Sequence, residues 1–282
     1  MKKAIALILA VLMMGILFVG CSSGGSKDDA DAQSDAQTEE QTAEETAAPA
    51  LSSPEDLVGK KIAVQEGTTG DLIASDIADA EVVRFKKATE AAMELKNGRV
   101  DCVIIDEMPA KKIVERNDDM MILDFQPTDE IETYAIAVKK DNAELLNVVN
   151  ETIAELQENG TYDSIFAYYI SGDEDAVLPE IPEYEADGEI IMGTNAEFEP
   201  FEFRDDSNEI AGFDVELAKW IAYKMGKTLR IEDMNFDSLI AALSTGKIDF
   251  IAAGMTNTEE RRQNVDFSTD YYESTQAIIV MK

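Results

Sequence analysis

Two stretches, Leu95-Lys96-Asn97-Gly98-Arg99-Val100-Asp101-Cys102-Val103 and Leu243-Ser244-Thr245-Gly246-Lys247-Ile248-Asp249-Phe250-Ile251, follow one pattern. Each closes an amphipathic segment on leucine and stops it at a glycine, where helices commonly end. Each then passes through a basic residue into an apolar run that carries one aspartate. The match is too short for a solenoid repeat. It points to two similar α/β lobes, with coincidence as the competing account.

The rest of the chain alternates in the same way. Strands are expected at Lys61–Gln65, Val82–Phe85, Val100–Ile105 and Met120–Phe125. Helices are expected from the Gly67–Gly70 turn through Ile77, from near Thr89 to Gly98, and from Met108 to Arg116. The last third repeats the theme: strands Ile190–Thr194, Leu229–Glu232 and Ile248–Ala252, with helices Asp214–Met225 and Asp237–Ser244. Glu144–Gln157 and Tyr162–Tyr169 have helical spacing. Such β-α alternation predicts an α/β fold of two lobes, each a mostly parallel sheet flanked by helices.

The start of the chain reads as an address. Lys2 and Lys3, an apolar run from Ala4 to Val19, and Gly20-Cys21 form an export signal rather than a membrane span. Leu17-Phe18-Val19-Gly20-Cys21 resembles a bacterial lipobox, whose cysteine carries the lipid anchor; Phe18 departs from the usual leucine. The alternative is an ordinary signal whose cysteine is incidental. Residues 22–50 have no aromatic residue and many acids, so they read as a disordered, self-repelling tether.

Composition excludes several chemistries. The formal charge is −34, most of it after residue 50, which argues against nucleic acid and against an anionic membrane surface. There is no histidine, which removes His-type zinc sites, Ser-His-Asp triads and Cys-His pairs. No catalytic residue, metal or cofactor is expected. Cys102 is the second of two cysteines and sits in an apolar run, where a buried packing thiol fits best.

The phrase Ala252-Ala253-Gly254-Met255-Thr256-Asn257-Thr258-Glu259-Glu260-Arg261 carries the clearest site chemistry. It runs from an apolar strand into a short helix, with Thr256 and Thr258 as N-cap candidates. Helix N–H groups and a guanidinium together can hold a carboxylate. A strand-to-helix turn with a solvated arginine is the bland alternative. Gly67-Thr68-Thr69 follows a strand and can form an anion nest.

These residues resemble the family 3 extracellular solute-binding proteins of amino-acid ABC importers. Gly193-Thr194-Asn195-Ala196-Glu197-Phe198-Glu199-Pro200-Phe201-Glu202-Phe203 and Gly212-Phe213-Asp214 are similar to that family's first lobe. So are Phe236-Asp237-Ser238-Leu239, the phrase ending at Arg261, and Val265-Asp266-Phe267-Ser268. Leu57 to Thr69, Asn97 to Asp101 and Glu158 to Tyr162 are similar to its second lobe. The resemblance implies a type II periplasmic-binding-protein fold that closes on a polar L-amino acid. It implies a carboxylate on Arg261, Gly254, Thr256, Thr68 and Thr69, and an ammonium on Asp106. Asp106 could equally cap the following helix. The resemblance further implies hydrocarbon contacts from Phe198 and Phe236, and side-chain contacts from Asn195, Gln65 and Ile105. Glu66 and Glu197 could attract a cation or be solvated.

The implied partners are a membrane permease and, through Cys21, the membrane; the protein is expected to be a monomer. An amino-acid sensor or adaptor, or a periplasmic dehydratase-like enzyme, are the alternatives on the same fold. The order departs from the family's, because the segment of first-lobe type comes last. The expected layout is a signal at 1–21, a tether at 22–50, lobe 2 at 51–132 and a hinge strand at 133–140. Helices at 141–172, a connection at 173–187 and lobe 1 at 188–282 follow, the last ending in a second hinge-side strand. This order looks like a circular permutation; a piece of a tandem array is the alternative. Gln276–Met281 is expected to pair beside Thr133–Lys140, with one of two lobe crossovers cut and the free protein more mobile as a result.

Overall fold

The computed structural model describes residues 51–282; the expected signal, Cys21 and the tether lie outside the described residues. A 3-10 turn at Pro54–Leu57 leads into β1 (Lys61–Gln65), α1 (Thr69–Asp76), β2 (Glu81–Phe85), α2 (Ala88–Lys96) and β3 (Cys102–Asp106). Then come α3 (Glu107–Glu115), β4 (Met120–Ile122), β5 (Glu132–Tyr134), β6 (Ala137–Lys139), α4 (Ala143–Glu158) and α5 (Thr161–Tyr169). Residues 173–187 hold no helix or strand and deliver the chain to β7 (Glu189–Thr194). The small strands β8 (Glu197–Phe198), β9 (Glu202–Arg204) and β10 (Ile210–Ala211) precede α6 (Phe213–Lys224) and β11 (Thr228–Asp233). A 3-10 turn at Phe236–Ser238 and α7 (Leu239–Thr245) follow. The chain finishes through β12 (Phe250–Ile251), α8 (Glu259–Arg262), β13 (Val265–Phe267), β14 (Tyr272–Ser274) and β15 (Gln276–Met281).

Two five-stranded sheets result, ordered β2-β1-β3-β15-β4 and β11-β7-β12-β6-β13. Position for position they have one plan. The first three strands are parallel, and the fourth runs against both its neighbours. The architecture is α/β, with mixed sheets flanked by helices. The repeated phrase occupies matching places and has one job in both. Asp101 Oδ2 accepts the Lys61 N–H at 2.7 Å, and Asp249 Oδ2 accepts the Ile191 N–H at 2.8 Å. Each aspartate thus fastens the entry of one parallel strand to the start of its neighbour.

Burial explains the strand choices. β1 and β3 are apolar on both faces, as central parallel strands are. α4 buries Leu145, Val149, Ile153 and Leu156 along one stripe, and α4 and α5 pack against α6. Cys102 is fully buried, and burial pushes its thiol up to about 12.

One expectation is overturned. Gln276–Met281 does not lie beside Thr133–Lys140; as β15 it runs between β3 and β4 in the first sheet. The reason is burial. Ala277, Ile278 and Ile279 are enclosed on both faces, and a large aliphatic side chain gains roughly 1.5–3 kcal/mol from full burial. The neighbouring β14 pairs antiparallel with β5 instead. The chain therefore crosses between the sheets twice, from β4 through β5 to β6 and from β13 through β14 to β15. Neither crossover is cut, so the expected loss of a hinge connection does not occur. Leu51 packs against the same buried cluster as Ile278 and Val280, while the Lys282 N–H donates to the Asp119 carbonyl at 2.9 Å.

Candidate functional site

Parallel strands of α/β sheets gather ligands at their carboxyl ends, where the following loops and helices begin. Here those ends face one another. From the first sheet come Gln65 at the end of β1, the Thr68–Thr69 entry to α1, and Asp106 at the end of β3. From the second come Asn195 just after β7, Phe198 on β8, and the loop from Ala253 to Thr256 after β12, with Arg261 on α8. Together with Glu202 and Phe236 these residues line a narrow cavity with about 10 Å³ of free volume. Ten of the eleven predicted ligand residues line this cavity. Ile105 does not: side chains alternate along β3, so Ile105 turns into the hydrophobic core while Asp106 faces the cleft.

The guanidinium of Arg261 is buried and bridges the two sides. It donates to the Thr256 carbonyl at 2.8 Å and to the Gly67 carbonyl at 3.0 Å, with its carbon 5.2 Å from the centre of the Phe236 ring. Thr258, not Thr256, caps α8 through the Arg261 N–H. Burial lowers the Arg261 pKa, and the charges of Glu132 and Asp106 work against that shift. The amides expected to be free are partly engaged. The Gly254 N–H is taken by Asp214 Oδ2 at 2.8 Å, and the Gly67 N–H by Asp71 Oδ2 at 3.1 Å. The hydroxyls are engaged as well: Thr68 donates to the Gln65 carbonyl, and Thr69 and Thr256 donate to Glu132, so Arg261 is the chief carboxylate partner left on the cavity wall.

Asp106 stands at the N-cap position of α3 without capping it; its Oδ1 accepts the Tyr134 hydroxyl at 2.5 Å. Its carboxyl is raised to about 7, first by burial and then by the charge of Glu132. Gln65 Nε2 donates to Asn195 Oδ1 at 2.8 Å across the cleft. Glu66 and Glu197 do not line the cavity. Each meets a lysine of the chain itself, Lys86 at 2.7 Å and Lys87 at 2.5 Å. Lys86 also reaches Asp237 at 2.8 Å, and Arg116 pairs with Glu199, so the rim is laced from lobe to lobe. Exposed pairs of this kind are individually weak, about 0–1 kcal/mol.

Sequence reasoning missed two acids. Glu132 on the crossing strand β5 accepts the Thr69 hydroxyl at 2.7 Å and the Thr256 hydroxyl at 2.6 Å on one oxygen. Its other oxygen accepts Gln276 Nε2 at 3.0 Å. It ties both lobes to the hinge. Glu202, within the motif Glu199-Pro200-Phe201-Glu202, is 0 % exposed and faces the cavity. A carboxylate flanked by Phe201 and Phe203 was the available signal for it.

Known proteins resemble the last third of the chain. Residues 190–282 match the family described as bacterial extracellular solute-binding proteins, family 3. The arginine-binding extracellular protein ArtP of Bacillus subtilis is 47% identical over 33% of this chain and 36% of its own length. A probable histidine-binding protein of Campylobacter jejuni is 45% identical over 32% and 35% respectively. Arginine-bound domain 1 of TmArgBP, from T. maritima, is 46% identical over 34% of this chain and 81% of that one, with a TM-score of 0.29. The chain spans about a third of the length of the curated relatives it matches. The likeness to the bacterial extracellular solute-binding proteins of family 3 thus lies in residues 190–282, a third of the chain.

Proposed function

We propose that this protein is the ligand-binding component of an amino-acid ABC importer and that it closes its two lobes over a basic L-amino acid. The carrying observation is the convergence of Arg261, Thr68, Thr69, Thr256 and Asp106 on one enclosed cavity from both sheets. A free amino acid offers one carboxylate and one ammonium. The guanidinium suits the first, and Asp106 suits the second. Phe198 and Phe236 would cover the hydrocarbon part. The relatives named for arginine and histidine support a basic side chain. Ligand contacts on both lobes would favour the closed state, which a permease would read.

The protein acts by binding rather than by catalysis in this reading. Glu66, the acid considered for a dehydratase-like reaction, is held by Lys86 outside the cavity. Export and anchoring through Cys21 and the acidic tether belong to the same proposal, as does the circularly permuted order. Leu51 and Val280 pack against one buried cluster that contains Ile278, which supports that order. Calorimetric titration with each of the twenty amino acids tests the function: micromolar or tighter binding of arginine or histidine is expected, and binding of none would sink it. Cys21→Ser should leave the protein in the soluble fraction of cells rather than with membranes.

A further inference from the structure

The lobes leave little room in the inner cavity but form a second, larger pocket outside it. This outer pocket has about 190 Å³ of free volume, with α2 and α3 on one side and the β8 segment on the other. An apolar cavity of about 150 Å³ is enough to hold benzene. The floor is apolar, built from Ala92, Ile113 and Met120, and Met93 lines the pocket with 63% of its surface exposed. Methionine is flexible, and its sulfur packs well against aromatic rings. The charges on the wall are three cations, Lys96, Lys112 and Arg116, against two acids, Glu197 and Glu199. Both acids already meet a cation, Lys87 and Arg116 respectively. Lys96 and Lys112 are paired with Asp119 and Glu115, exposed acids of their own lobe, and such pairs are weak enough for a carboxylate to displace. In a chain of net charge −34 this is a local excess of positive charge over an apolar floor.

We propose that the outer pocket is a second ligand site, that it takes a small aromatic carboxylic acid with its ring on the methionine floor and its carboxylate toward Lys96 and Lys112, and that its occupant favours the closed lobes. One strand links it to the inner cavity. Side chains alternate along a strand, so Glu197 and Glu199 turn to the outer pocket while Phe198 between them turns to the inner cavity. A ligand packed between α2, α3 and that segment holds Phe198 where the closed protein has it. Ligands of the two sites then raise each other's affinity by the same factor. That coupling rests on the reading of the inner cavity as an amino-acid site; the outer pocket does not.

Phenylacetate and its uncharged amide, phenylacetamide, provide the test by calorimetric titration. Phenylacetate should bind the unaltered protein at millimolar concentration or below, about tenfold tighter than the amide, the effect of one hydrogen bond to a charged group. Lys96→Gln combined with Lys112→Gln should remove that preference, and Ala92→Leu, which fills the floor, should abolish binding of both probes. Saturating phenylacetate should tighten arginine binding about fivefold and narrow the unliganded dimensions in small-angle scattering. The double lysine variant should bind arginine as before, without that response. Failure of both probes to bind, equal binding of the two, or binding that survives Ala92→Leu overturns the site. Should the leucine variant fold poorly, the surface lysines decide: an undiminished preference for the acid in the double variant overturns it equally. Phenylacetate binding with no change in arginine affinity or in dimensions overturns the coupling. If phenylacetate binds and narrows the dimensions while no amino acid binds, the outer pocket is upheld and the reading of the inner cavity fails.

Discussion

Arg261 is buried with its charge facing two carbonyls, one from each lobe, and that placement makes it replaceable only at a cost to ligand binding. Arg261→Ala should weaken amino-acid binding by well over tenfold, from a lost charged partner worth roughly 2–5 kcal/mol, while the protein still melts cooperatively. Titration calorimetry and a thermal melt on one preparation check both halves. Asp106 and Asp214 are each raised to about 7, burial being the largest cause in both. An acid with a raised folded pKa holds its proton longer in the folded state. Its stabilising contribution is therefore full below the ordinary carboxylate range and is lost as pH rises to about 7. The free protein should melt progressively lower across that window. A ligand ammonium needs Asp106 ionised, so affinity should run the other way, rising by at most about tenfold per pH unit up to about 7 and levelling above it. Asp106→Asn should flatten the affinity profile and weaken binding at high pH.

Among the elements, β5 does the most joining. Its Glu132 gathers Thr69 from α1, Thr256 from the loop after β12 and Gln276 from β15. Glu132→Ala would leave those donors buried without an acceptor, at about 1–3 kcal/mol per stranded group. A fall of several degrees in melting temperature is expected, with wider unliganded dimensions in small-angle scattering; an unchanged profile in both would remove the hinge role. The loop after β12 has a tighter constraint. Gly254 has φ +51°, and an added Cβ would lie 2.5 Å from the Phe198 ring. Gly254→Ala should displace that ring and weaken binding without unfolding the protein, measurable by the same titration.

For the molecule as a whole, the two intact crossovers change what the inverted order should do. The β5 and β14 strands pair side by side, so under the permutation proposal the hinge is complete. Joining Lys282 to the Leu51 region by a short loop, and opening the chain within 173–187, should preserve ligand selectivity and give the same unliganded dimensions. Loss of the fold in that reordered chain would defeat the permutation proposal, because ends lying on one surface tolerate such changes.

Strand and helix positions, the two-lobe plan and most of the cavity wall were legible in residue order. Periodicity, glycine caps and the doubled phrase are local signals that placed the elements, while the family resemblance supplied the eleven ligand positions, ten of which line the cavity. Three things were decided by packing. Which sheet received Gln276–Met281 depended on where its apolar residues could be covered on both faces, a question about distant segments. Ile105 and Asp106 were separated by the strand's two-sided geometry, which sorts neighbours to opposite environments. The role of Glu132 arose only once the lobes met. A carboxylate's chemistry is set by the donors around it, and those donors are contributed by residues far away along the chain.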